Sequence, residues 1–357
     1  VIVENTDTGG GTDGGTDLTL DTDGDGIPDV LENETGRNPL MTDYMVAAGD
    51  KFSCALDGSG VSCWGDSSNN KLSVPALSNP TYVAVGFDHA CAIDDTGAVC
   101  WGNGQYQKTT PPVLSNPTKL ALGRLNSCAL DDTGVVCWGI NTSGRSTPPF
   151  LSNPTDLSVG SDHACAIDDS GLVCWGKLSF KRGQLPIDLV SPSQVSAGWY
   201  HSCVLDDNGV SCWGSKAKTG TNAPPALSNP TVVATGTTFS CAIDDTGVVC
   251  WGNNGQKQLT RVPDLSNPTQ ISLGTDHACA VDATGVVCWG STGRGKSSPP
   301  VDMSIVTDND SDGIEDWEED ILGTNKYLAD TDGEGVEDSV DEMPLDGTES
   351  LDSDRDG

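Results

Sequence analysis

Aspartates, cysteines and histidines sit in this chain at spacings that could do chemistry. The densest carboxylates read Asp21-Thr-Asp23-Gly-Asp25-Gly-Ile27-Pro-Asp29-Val-Leu-Glu32, placing oxygen ligands at loop positions 1, 3, 5, 9 and 12, a backbone carbonyl at Ile27 and glycine at position 6. Ca2+ takes about six to eight hard oxygen ligands, and a glycine at that point permits the sharp turn that aims them inward. The spacing returns at Asp308, Asp310, Asp312, Ile314, Asp316 and Glu319. It recurs more loosely at Asp330, Asp332, Glu334, Val336, Asp338 and Asp341, and in part at Asp352, Asp354 and Asp356. The bland alternative is an acidic solvated tail, which is what most charge runs are. Two full matches and two partial ones make several calcium ions the expected cofactor.

The cysteines pair by spacing. Their first members fall at 54, 91, 128, 165, 203, 241 and 279, and their second members nine residues later at 63, 100, 137, 174, 212, 250 and 288, which uses all 14. Between the two members lies Asp-Asp-Thr-Gly or a close variant, a turn sequence. Counting outward from a two-residue turn sets the two cysteines opposite each other at a pair without mutual backbone hydrogen bonds. There the Cα atoms lie roughly 4.5 Å apart, within disulfide range. The expected bridges are Cys54–Cys63, Cys91–Cys100, Cys128–Cys137, Cys165–Cys174, Cys203–Cys212, Cys241–Cys250 and Cys279–Cys288. Zinc would want four ligands converging from short Cys-x-x-Cys knuckles, which this spacing does not supply. With every thiol paired, an oxidising compartment is implied, extracellular or at the cell surface.

The histidines do not suggest catalysis. His89, His163, His201 and His277 all stand two residues before a first cysteine, where other copies carry Phe52, Asn126 and Phe239. A position that accepts Phe is structural. The paired carboxylates Asp94-Asp95, Asp131-Asp132, Asp168-Asp169, Asp206-Asp207 and Asp244-Asp245 fall in the turns, where Asp caps its own backbone. No phosphate-cradling loop, nucleophile elbow or zinc-protease helix occurs, so no enzyme is expected. Trp199-Tyr200 is the one local aromatic excess, either a partner anchor on a rim or a pair packed under a neighbouring loop. Leu178-Ser-Phe-Lys-Arg-Gly-Gln184 is a cationic-aromatic insertion and a candidate exposed contact.

These residues are positioned by a repeat. The cysteine pairs recur every 37 residues three times and then every 38 three times, the signature of stacked supersecondary units. Each copy holds three short β runs: an apolar one ending in glycine (Val83-Ala-Val-Gly86), one through the first cysteine, and one through Val-Val-Cys-Trp. A Leu-Ser-Asn-Pro-Thr loop closes most copies. Seven such units suggest a closed ring, which leaves no long sheet edge exposed. The expected fold is all-β: a seven-bladed β-propeller over 46–307 with one disulfide per blade, flanked by irregular calcium-binding segments at 21–45 and 308–357, with a Gly/Thr/Asp-rich segment at 1–20.

Charge separates these regions. Acidic residues outnumber basic ones by 52 to 18, and the segments 1–45 and 302–357 supply 29 of the 34 net negative charges. Such a field repels nucleic acid, which is not an expected partner. No apolar run is long enough to span a membrane, and Val1-Ile-Val-Glu4 lacks the basic start of a signal peptide, as in a mature secreted chain.

Two resemblances follow. Asp-x-Asp-x-Asp-Gly-Ile-x-Asp followed by Gly36-Arg-Asn38 or Gly323-Thr-Asn325 resembles bacterial thrombospondin type 3 repeats, in which calcium holds acidic chain in shape. Gly-x-x-His-x-Cys-Ala-Ile with Val-Cys-Trp-Gly resembles the regulator-of-chromosome-condensation repeat family, implying a seven-bladed propeller. The paired cysteines are foreign to its intracellular members, while its secreted bacterial members include a propeller inhibitor of β-lactamase. Nuclear exchange-factor activity is therefore not carried over. Two functions are expected from this reading. The first is an extracellular structural subunit joined head to tail into a filament or surface layer through its acidic termini, with Glu4 or Asp7 of one copy completing the loop at Asp352 of another. The alternative is a monomeric adhesin or inhibitor-like module gripping a surface protein or glycan.

Overall fold

A computed structural model describes residues 44–57, 60–178, 185–214, 223–282, 285–300, 324 and 328–331. Within it the repeat becomes seven separate three-stranded antiparallel sheets, each contiguous in sequence. The inner strands are Met45–Ala48, Tyr82–Val85, Lys119–Leu122, Asp156–Val159, Gln194–Ala197, Val232–Thr235 and Gln270–Leu273. The three expected β runs per copy are the three strands of each blade, one fewer than the usual four.

Blade 2 shows how the sequence builds a blade. Its middle strand His89–Asp94 turns into the outer strand Gly97–Gly102 through Asp95-Thr96. Asp94 Oδ1 accepts the Thr96 N–H at 2.8 Å and the Thr96 hydroxyl at 2.7 Å. Gly97 completes the turn at φ 112°, a backbone shape that a side chain would strain. The register then sets Cys91 opposite Cys100. In all seven blades the bridged Cα atoms lie 4.0–4.1 Å apart, slightly closer than the sequence estimate.

The two faces of the middle strand pack in opposite directions around the ring, as a period of two requires. Ala90 and Ala92 enter a core with Phe52 and Leu56 of blade 1, while Cys91 and Ile93 enter one with Leu120, Leu122 and Trp138 of blade 3. The tryptophan after each second cysteine ties neighbours together, with the indole N–H of Trp101 donating to the Lys71 carbonyl at 2.9 Å and that of Trp138 to the Lys108 carbonyl at 2.8 Å. Closure repeats the same contacts without exchanging a strand. Val46, Ala55 and Trp64 pack with Val281 and Val286, and the Trp64 indole donates to the Lys296 carbonyl at 3.0 Å.

The Leu-Ser-Asn-Pro loops are pinned by the turn carboxylates. Asp94 Oδ2 accepts the Ser78 N–H at 3.0 Å, and Asp95 Oδ2 accepts the Ser78 hydroxyl at 2.9 Å and the Asn79 amide at 2.7 Å. Blades 3, 4 and 6 repeat the clamp with Asp131-Asp132, Asp168-Asp169 and Asp244-Asp245. Burial raises the affinity of the Asp94 carboxyl for a proton, but hydrogen bonds from Thr96 and Ser78 outweigh it and hold the pKa below the usual range.

Candidate binding face at the channel mouth

Repetition makes most positions equivalent, so a functional site is best sought where equivalent residues differ and converge. The inner strands surround a central channel of about 300 Å3. At one end each strand runs into a glycine: Gly49, Gly86, Gly123, Gly160, Gly198, Gly236 and Gly274. A Cβ on any of these would lie 2.3–2.6 Å from the carbonyl oxygen of the next glycine in the ring, too close for any real contact. Glycine there lets seven chains converge, and it presents the following residue at the mouth.

Those following residues are Asp50, Phe87, Arg124, Ser161, Trp199, Thr237 and Thr275. Phe87 of blade 2 and Trp199 of blade 5 meet edge to face, with ring centroids 5.2 Å apart at an interplanar angle of 74°. The Arg124 guanidinium carbon lies 5.6 Å from the Phe87 centroid and 5.1 Å from that of Trp199, within cation–π range of both. Tyr200 extends the cluster, its ring 6.0 Å from Trp199. Arg124 itself is exposed and the rings are half-buried. Trp199-Tyr200 therefore sits at the channel mouth rather than on an outer rim, against a residue from a distant blade.

The opposite end is more self-satisfied. Lys119 pairs with Asp156, whose other oxygen accepts the Val195 N–H at 2.6 Å, and Gln194 and Gln270 accept the N–H groups of Val233 and Val46 at 2.7 Å each. Side chains of one blade thus cap the free strand edge of the next.

The histidines lie between blades. His89 Nε2 is 2.8 Å from Ser127 Oγ, His163 Nε2 is 2.7 Å from Ser202 Oγ, and His201 Nε2 is 2.7 Å from Ser240 Oγ. Ser127 in turn donates to the Lys108 carbonyl at 3.1 Å, which leaves its oxygen to accept from the imidazole N–H. Burial holds the pKa of His89 down at about 3 and that of His201 at about 4. A neutral ring bonded to a serine between packed sheets reaches no substrate, in keeping with the structural role read from the Phe-bearing copies.

In blades 1, 2, 3 and 7 the loop after the outer strand carries a buried cation, Lys71, Lys108, Arg145 or Lys296, where blade 6 has Gln258, a feature the sequence reading missed. Lys108 pairs with Asp88, Lys296 with Asp276, and Arg145 with Asp162 at 3.2 Å. Of the expected calcium ligands only Asp330 lies among the described residues; the segments 21–32, 308–319, 332–341 and 352–357 lie outside them, as do Glu4, Asp7 and residues 179–184 of the blade-four insertion. The described residues hold no cluster of three or more His, Cys, Asp or Glu fit for a metal, and no helix among them is long and apolar enough to cross a membrane.

This architecture defines a class: a seven-bladed β-propeller with one disulfide per blade. Residues 193–216 match the family described as the regulator of chromosome condensation (RCC1) repeat. Among solved structures the chain is similar to the ectodomain of the receptor kinase CR4 of Physcomitrella patens, at 23% identity over 69% of this chain and 73% of that one, with a TM-score of 0.59. It is likewise similar to the CRINKLY WD40 ectodomain of the Arabidopsis thaliana receptor kinase ACR4 (24% identity, 72% of this chain, 97% of that one, TM-score 0.58) and to human WBSCR16 (17% identity, 67% and 86%, TM-score 0.57). At these identities the likeness is one of fold. No curated protein sequence matches the chain.

Proposed function

We propose that this protein is a secreted, non-enzymatic propeller module that binds another protein through the channel mouth carrying Phe87, Arg124 and Trp199. The observation that carries this reading is the convergence of two aromatic rings and a guanidinium, from blades 2, 5 and 3, at one repeat position of the ring. Aromatic residues and arginine are enriched among interface residues that dominate binding energy. Fourteen bridged cysteines favour an extracellular site, and ectodomains share the fold. We further propose that the Asp-rich flanks hold calcium. The filament reading draws wholly on those flanks, whereas the mouth cluster is complete in one chain, so binding is set ahead of assembly.

A photoreactive amino acid at Thr237, in the mouth ring, and another at Val113, fully exposed on an outer loop, would test this. Irradiation with the extracellular proteins of the source should give a discrete protein adduct from position 237 that Trp199→Ala abolishes. Adducts absent at 237, or equal at both positions, would defeat the reading.

A further inference from the structure

We propose that the Phe87, Arg124 and Trp199 cluster is a carboxylate-binding site for an acidic segment of the partner protein; this rests on the binding reading above and narrows it. Two independent observations support it. The first is the state of Arg124. Two aromatic rings hold its guanidinium, so the side-chain freedom that an arginine normally loses on binding is already reduced. The guanidinium has no carboxylate partner among the described residues, and its N–H edges form the rigid fork that matches a carboxylate with two parallel hydrogen bonds.

The second is the charge of the surrounding loops. Asp50, Asp66, Asp88, Asp162 and Asp276 all lie within salt-bridge distance of a lysine or arginine: Lys51 at 3.6 Å, Lys71 at 2.8 Å with Arg294 at 2.7 Å, then Lys108, Arg145 at 3.2 Å and Lys296. Arg124 has no such partner among the described residues, nor has Lys177, whose backbone N–H donates to the Asp162 carbonyl at 2.8 Å. Among the described residues the mouth therefore presents a cationic excess, in a chain whose net charge is −34. Such a face attracts an anionic partner and repels a cationic one. The aromatic rings beside Arg124 shield one side of the guanidinium from water, which strengthens an ion pair formed there.

The test uses the full chain and a fluorescent Asp/Glu-rich peptide, with its Asn/Gln counterpart as the neutral probe, read by anisotropy at low and moderate salt. The acidic peptide should bind and the neutral one should not. Arg124→Gln should weaken binding about tenfold or more, and Arg124→Lys should recover little, because lysine offers a point charge without the fork. Phe87→Ala and Trp199→Ala should weaken it severalfold, as loss of a cation–π partner does. Arg261→Gln removes the same charge from an exposed loop of blade 6 and should bind as the parent does. Equal binding of both peptides, or equal losses in Arg124→Gln and Arg261→Gln, would overturn the proposal. So would competition by glucuronate at the peptide's own potency, which would assign the site to sugar acids, or self-association that Arg124→Gln abolishes, which would assign it to the acidic flank of a second copy. If Arg124→Gln leaves the adduct at position 237 intact, the face binds protein but not through a carboxylate. If no adduct forms, the broader reading fails first.

Discussion

His277 Nε2 lies 2.8 Å from Ser53 Oγ, joining the last blade to the first across 224 residues of sequence. The same pair recurs wherever a histidine stands at this position, because His89, His163 and His201 each face a serine in the next blade. Where the position is Phe239, the neighbouring blade places Ala278 in the shared core, and Phe52 packs with Ala90 in the same way. Polar meets polar and apolar meets small at each of these interfaces. This rule shows that the histidines are inter-blade connectors.

The rule makes Ser53→Ala costly and reversible. Removing the hydroxyl leaves the buried imidazole N–H of His277 unsatisfied, worth about 1 to 3 kcal/mol of stability. Adding His277→Phe removes the orphaned donor and recreates the Phe–Ala pairing used elsewhere, so the double variant should recover most of the loss. Chemical denaturation of the two single variants and the double variant measures this. Purely additive costs would show that the pair is not coupled.

Acid should weaken the propeller through the same residues. His89, His201 and His277 have folded pKa values held down to about 3, 4 and 3 by burial, against 6.5 for the free side chain. Above 6.5 the ring is neutral both folded and unfolded, so these groups cost nothing. As the pH falls below 6.5 the unfolded chain takes up protons that the native state refuses, and stability drops until the folded pKa is reached. The slope approaches ~1.4 kcal/mol per pH unit for each histidine. Unfolding free energies between pH 7 and pH 5 should fall accordingly. The variant carrying Ser53→Ala and His277→Phe should show a shallower slope by one histidine's share.

The glycine ring predicts a sharp contrast between two small substitutions. Gly236→Ala places a Cβ 2.5 Å from the Gly274 carbonyl and 2.9 Å from the Phe239 ring, so backbone must move in a closed ring. A loss of several kcal/mol or failure to accumulate as folded protein is expected. Gly293→Ala meets nothing nearer than the Ser291 hydroxyl at 3.6 Å and should leave the melting temperature within a few degrees of the parent. Thermal melts of the two proteins decide it.

Much of this fold was legible because the chain repeats itself: seven copies average away the noise of any single propensity, and cysteine spacing fixes register within each hairpin. The disulfides, the three strands per blade and the structural histidines all followed from aligning the copies. The mouth cluster did not, because averaging hides a site made of differences. Its signal was present in the residue after each repeat glycine, where Asp50, Phe87, Arg124 and Trp199 stand among the hydroxyl residues Ser161, Thr237 and Thr275. What sequence could not supply was that Phe87 and Trp199, 112 residues apart, meet across a channel. The buried cations Lys108 and Lys296 were hidden for another reason, since lysine is almost never fully buried unless paired and their partners come from a different loop.

Calcium removal should separate the flanks from the propeller. The acidic spacing at 21–32, 308–319 and 330–341 supplies hard oxygen ligands, and segments 1–45 and 302–357 carry 29 of the 34 net negative charges. Without a divalent cation those charges repel one another, so a chelator should enlarge the hydrodynamic radius of the full chain and restored Ca2+ should reverse it. Mg2+ should restore it poorly, because it demands near-octahedral geometry at shorter distances and sheds water reluctantly. Paired Asp23→Asn and Asp310→Asn changes should weaken calcium uptake in a calorimetric titration while leaving the main melting transition in place. The propeller should survive chelation because its disulfides and inter-blade cores need no metal, each bridge adding on the order of 2 to 3 kcal/mol in the chain-entropy model. Reduction in denaturant should then do what chelation cannot, releasing all 14 thiols and lowering the refolded transition. A radius indifferent to chelator, or a propeller transition that collapses with it, would sink this division of labour.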